Sequence, residues 1–166
     1  MARQRLAAFA AAAFALAATG AGAETKSALT AGEIMSVLAD AGLSPQASSD
    51  VATGAPVFFG RAGDIVFIVR ALDCAGAPAA CENLLFIANF DLGREVTQDD
   101  YVVINKFNDS QLFGRAYILP GQAQVGVDYV LELGGGVSPE HIAQNVARWA
   151  NIISAFIGNF TARGSS

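Results

Sequence analysis

Apolar positions change their period along the chain, and those changes divide it into elements. Ile34, Leu38 and Ala41 recur at helical spacing behind Thr30-Ala31-Gly32-Glu33, a capping-box sequence, and ahead of Gly42, so a first helix is predicted over 31–41. The pattern over 45–49 is weak. Residues 56–60, 64–72 and 83–91 are short runs rich in β-branched and aromatic side chains, which predict strands. Arg61-Ala62-Gly63-Asp64 supplies a turn between the first two, and the segment bounded by Cys74 and Cys81 joins the second to the third as a pinned hairpin. Antiparallel neighbours follow.

In the second half, Thr97 stands where it can cap a helix, with Asp99 and Asp100 in the first turn and Tyr101, Ile104 and Phe107 recurring on one side; the helix is predicted to end near 108. Strands over 113–119 and 124–132 flank Pro120-Gly121-Gln122-Ala123, a four-residue hairpin loop that sets Arg115 opposite Asp128. In that register Phe113, Arg115, Tyr117, Asp128, Val130 and Glu132 share one side, while Ala116, Ile118, Val125, Val127, Tyr129 and Leu131 form the apolar face that belongs in the core. Ser138-Pro139-Glu140 opens the last helix, along which Ile142, Val146, Trp149, Ile153, Phe156 and Phe160 lay one stripe over the sheet. Residues 161–166 have nothing to bury and are expected to be a disordered tail. The resulting class is α+β: an antiparallel sheet with three helices in the order helix-strands-helix-hairpin-helix.

The start of the chain reads differently. Arg3 and Arg5, the apolar run 6–18 and Ala21-Gly22-Ala23 make the three parts of a cleavable secretory signal over 1–23. Thirteen helical residues reach only ~20 Å, short of the ~30 Å of a bilayer's hydrocarbon. A periplasmic or secreted protein without an integral membrane segment after cleavage is therefore expected, with a single domain over 24–160. Cleavage removes two arginines and leaves 8 basic against 15 acidic side chains, a net charge of −7. In an oxidising compartment Cys74 and Cys81, with six residues between them, are expected to form a disulfide.

The residue inventory narrows the chemistry. No Lys/Arg cluster exists to meet phosphates, which argues against nucleic acid. One histidine and two cysteines are too few for a zinc site, and the acidic residues around Asp91, Glu95, Asp99 and Asp100 do not follow calcium-loop spacing; they read as solvated carboxylates, and neither metal nor cofactor is expected. His141 lacks any nucleophile pattern and reads as a surface residue. Gly134-Gly135-Gly136 lacks phosphate-loop spacing and reads as a strand-to-helix turn. The two Asn-x-Ser/Thr sequons, at Asn108 and Asn159, are treated as chance. The expected protein is not an enzyme, and no residue is assigned a catalytic role.

Asn105-Lys106-Phe107-Asn108, Phe113-Gly114-Arg115-Ala116-Tyr117, Asp128 with Leu133-Gly134-Gly135-Gly136-Val137-Ser138, and Trp149 before Phe156 occur in the order of the signatures of the YbjN-like domain family, whose exported, alphaproteobacterial type the chain resembles. Phe107 stands where a tryptophan is common, and Ile118-Leu119-Pro120 replaces a more acidic turn. The resemblance implies an α+β fold similar to type III secretion chaperones and a regulatory or chaperone-like role without an established reaction. The leading expectation is a binding module that presents Phe113, Arg115 and Tyr117 to a protein or peptide partner, with self-association into a homodimer as a further expectation. The alternative is a small-molecule binder or enzyme with a pocket between sheet and helices, using Asn105, Asn108, Arg115 and Asp128.

Overall fold

The computed structural model describes residues 24–161, with side chains to 160. The predicted signal over 1–23 and residues 162–166 of the expected tail lie outside the described residues. Thr30 caps α1 (Ala31–Asp40) with both halves of the capping box: its hydroxyl accepts from the Glu33 N–H, and its own N–H donates to the Glu33 carboxylate at 2.8 Å. At the other end Gly42, at φ +74°, lets its N–H and that of Leu43 return to the carbonyls of Ala39 and Leu38, a Schellman closure with Leu38 and Leu43 both buried.

The sheet is wholly antiparallel. Its path runs β2 (Gln46–Ser49), β3 (Pro56–Ala62), β4 (Ile65–Ala75), β5 (Ala80–Asp91), β7 (Gln124–Glu132), β6 (Arg115–Leu119), and β1 (Leu29–Thr30) pairs with the start of β5. β2 occupies the stretch whose pattern is weak, because all four of its side chains are exposed and its place is fixed by backbone pairing with β3. The predicted hairpins form: Ala62 pairs with Ile65 around a two-residue turn, and Leu119 pairs with Gln124 around the four-residue loop. Cys74 and Cys81 are directly paired across β4 and β5 with their sulfurs 2.14 Å apart, at disulfide distance. Closing a loop this short contributes about 2 to 3 kcal/mol in the chain-entropy model, so adding a reductant is expected to lower the urea-unfolding free energy by that amount.

One face of the sheet is covered. α3 (Pro139–Thr161) lays Ile142, Val146, Trp149, Ile153 and Phe156 against Phe58, Phe67, Val69, Leu84, Phe86 and Val127, all buried, and Trp149 sits between Phe67 and Phe86 with ring centroids 5.8 and 5.6 Å away. Its start is as predicted, the Ser138 hydroxyl accepting the His141 N–H at 3.1 Å, and His141 itself is exposed. Leu133 and Gly136 form the turn before it, where a side chain on Gly136 would crowd the Thr25 hydroxyl at 3.0 Å.

α2 (Gln98–Ser110) departs from its sequence reading in two respects. Its inward side is Asp100, Val103, Ile104 and Phe107, whereas Tyr101 is largely exposed. Asp100 is not solvated: it is fully buried, takes both guanidinium nitrogens of Arg94 at 2.8 Å, and accepts from the Thr97 N–H and hydroxyl at 2.8 and 2.9 Å. Thr97 and Asp100 form a capping box in which the Thr97 hydroxyl also donates to the carboxylate, and the loop before α2 is tied down by one carboxylate.

Candidate functional site

Strand alternation places every second side chain on the opposite side of the sheet from α3. Across that open side the registers align Phe59, Ile68, Ile87, Asp128 and Arg115 in one row, and Val57, Arg70, Leu85 and Val130 in the next. No described helix covers these rows. Phe59, Val66 and Val130 are 42 %, 51 % and 52 % exposed, and Ile68, Leu85 and Ile87 are partly buried beside them. The result is an apolar centre with a polar rim.

Two arginine–carboxylate pairs hold that rim. Arg115 meets Asp128 in a two-point bond, Nε to Oδ1 at 3.2 Å and Nη2 to Oδ2 at 2.5 Å, as the hairpin register predicts. Arg70 reaches Asp50 at 3.1 Å from the neighbouring loop. Neutralised in this way, both guanidinium groups can be covered by a partner at lower desolvation cost than free charges.

Tyr117 lies across this face. Its hydroxyl donates to Asn89 Oδ1 at 2.6 Å, two strands away, and the ring passes over Gly126 on the strand between; a methyl group on Gly126 would sit 2.6 Å from the ring and 2.4 Å from the Asn89 oxygen. Gly126 is thus the residue that lets Tyr117 lie flat. Burial, and then the nearby Asp128 charge, push the Tyr117 phenol up to about 12, against a smaller opposing effect of Arg115. Because the raised value favours the protonated folded form, its stabilisation is complete below pH ~10 and is lost as pH rises towards 12. The melting temperature is expected to fall more steeply over that window in the wild type than in Tyr117→Phe.

The remaining site residues do not gather here. Phe113 stands before β6, which begins at Arg115 and not at 113, because Gly114 takes φ +84° and turns the chain. Its ring goes to the helix side, edge-on to Tyr129 at 6.3 Å and beneath the Arg148 guanidinium at 4.1 Å. Arg148 in turn donates to Asn145 Oδ1 and to the Tyr129 hydroxyl, and Tyr129 donates to the same Asn145 oxygen. Phe113 and Tyr117 are therefore on different sides of the sheet, a correction to the shared face expected for them. Asn108 uses both ends of its amide on Ala116, accepting from its N–H at 2.8 Å and donating to its carbonyl at 3.1 Å, which closes part of the free edge of β6. Asn105 is exposed on the outer surface of α2 beside Val102, Lys106 and Asp109. The hollow that touches Arg115 and Asp128 is lined further by Gly114, Tyr129 and Val130 and opens to solvent. Asn105, Asn108 and Asp128 thus have three different surroundings. Among the described residues no group of three or more His, Cys, Asp or Glu side chains is placed to hold a metal.

Phe59, Val66, Ile68, Leu85 and Ile87 complete the face and are not among the candidates drawn from the hairpin alone. Their signal is the doubly apolar run Ile65-Val66-Phe67-Ile68-Val69, in which both alternations are apolar although only one can face α3.

The architecture above, from the Thr30 cap to the end of α3, coincides with a family model: residues 30–161 match YbjN, described as "Putative bacterial sensory transduction regulator". The chain belongs to the YbjN family. No curated protein and no solved structure matched. For a YbjN domain the description points to regulation, not to a reaction. The Cys74–Cys81 pair is compatible with a location outside the cytosol, and among the described residues no helix is long and apolar enough to cross a membrane.

Proposed function

We propose that this YbjN domain is an exported, non-catalytic binding module with a chaperone-like or regulatory role, which takes a protein or peptide partner on the open side of its sheet. The observation that carries the reading is the exposed apolar centre formed by Phe59, Val66 and Val130 inside a rim of paired arginines, opposite a face already filled by α3. Interfaces have this anatomy, and Tyr and Arg are the side chains that concentrate binding energy in them. Tyr117 and Arg115 belong to the site; Phe113 is relegated to a flanking position. Export rests on the leader-like pattern of 1–23 and on the cysteine pair.

The test is capture from periplasmic extract with identification by crosslinking and mass spectrometry. Tyr117→Ala is expected to keep its circular dichroism spectrum and to lose a partner that the wild type recovers reproducibly. Unchanged recovery of that partner by Tyr117→Ala and by Val130→Lys would refute the assignment of this face.

A further inference from the structure

This inference rests on the open sheet face being the binding surface, and it names the occupant. We propose that two copies of the chain pack their open faces against each other.

Charge is the first argument. Without residues 1–23 the chain holds eight basic and fifteen acidic side chains, a net −7. Across the open face Arg61, Arg70 and Arg115 offset Asp50, Asp128 and Glu132, and counting Asp73 and Asp91 at the ends of its strands brings it only to −2. Most of the acidic excess therefore lies elsewhere, so two copies that approach through other surfaces repel, whereas these faces meet nearly neutral. A strongly basic partner, conversely, would be drawn away from this face.

Size is the second. Six strands of four to twelve residues, at about 4.8 Å spacing and about 3.3 Å per residue, give a face on the order of 700 Å², close to the ~800 Å² that each side of a stable interface contributes. A short extended peptide would leave much of it wet. A second sheet at about 10 Å covers it all, with the apolar rows interdigitating as in a β-sandwich. The pairing is also closed: a two-fold contact uses the same patch on both copies and leaves no apolar face free to propagate.

Sedimentation velocity on the purified chain tests this. The wild type is expected to sediment as a dimer at micromolar concentration. The double variant Val66→Lys with Val130→Lys, at positions already half-exposed and so harmless to folding, is expected to be monomeric with unchanged circular dichroism. Val102→Lys, equally placed on the outer surface of α2, should remain dimeric. A monomeric wild type, or a dimer that survives the double variant, overturns the proposal. If the wild type is monomeric yet still captures a partner that Tyr117→Ala loses, the second copy is wrong and the binding face stands; if neither dimerisation nor capture responds to variants on this face, both fail.

Discussion

Trp149→Ala is expected to remove about 3 to 5 kcal/mol, the largest loss available to a single truncation in this core. Trp149 is completely buried, on the midline of α3, and bridges Phe67 and Phe86, so its removal opens a void where helix and sheet meet. Set against the 5–15 kcal/mol that holds a typical domain together, that loss leaves a substantial unfolded population. Trp149→Phe should be much milder for a specific reason. The indole N–H has no hydrogen-bond partner among the described residues, so the substitution removes volume and dispersion contacts but strands no acceptor. Urea unfolding followed by far-ultraviolet circular dichroism checks both; a loss below ~1 kcal/mol for the alanine variant would show that the helix–sheet seam is not packed as described.

Asp100→Asn is expected to cost about 2 to 3 kcal/mol at neutral pH, less than a fully enclosed ion pair because Arg94 is itself half-exposed. The amide can still accept from Thr97 but can no longer meet the two-point guanidinium. The Arg94 bonds, outweighing the opposing effect of burial and helped by the Thr97 N–H and hydroxyl, hold the Asp100 carboxyl well below the usual carboxylate range. A depressed carboxyl stabilises the fold above its unfolded value, near 4, and loses that contribution as pH falls further. The gap between wild type and Asp100→Asn should therefore be widest above pH ~5 and close progressively on acidification. A gap that is independent of pH would contradict the ion-pair account.

The contrast between these residues shows what the sequence makes legible. Trp149 belongs to a long stripe at helical spacing, and the β6–β7 register follows from a four-residue loop flanked by alternating side chains, so local periodicity suffices for both. Asp100 is different. Its burial depends on Arg94 folding back over the start of α2, a loop conformation that no periodicity encodes, and the carboxylate alone looks like any helix-start acid. β2 is hidden for a related reason: its side chains are all exposed, so nothing in their pattern records the backbone pairing that holds them. Phe113 shows how a single backbone angle misleads. Alternation puts it beside Arg115, and the positive φ of Gly114 sends it to the other side. The candidate face was legible only along the hairpin that supplies Arg115, Tyr117, Asp128 and Val130; its centre comes from strands whose doubly apolar character admits either a buried strand or an interface, and only the layer count decides between them.

The most direct measurement is site-specific photocrosslinking in intact cells, with a crosslinking amino acid placed at Phe59 or Val130 on the open face and, in parallel, at Val102 on α2. Adducts from both sheet positions and none from the helix position are the predicted result. Adducts from Val102 alone would contradict the account.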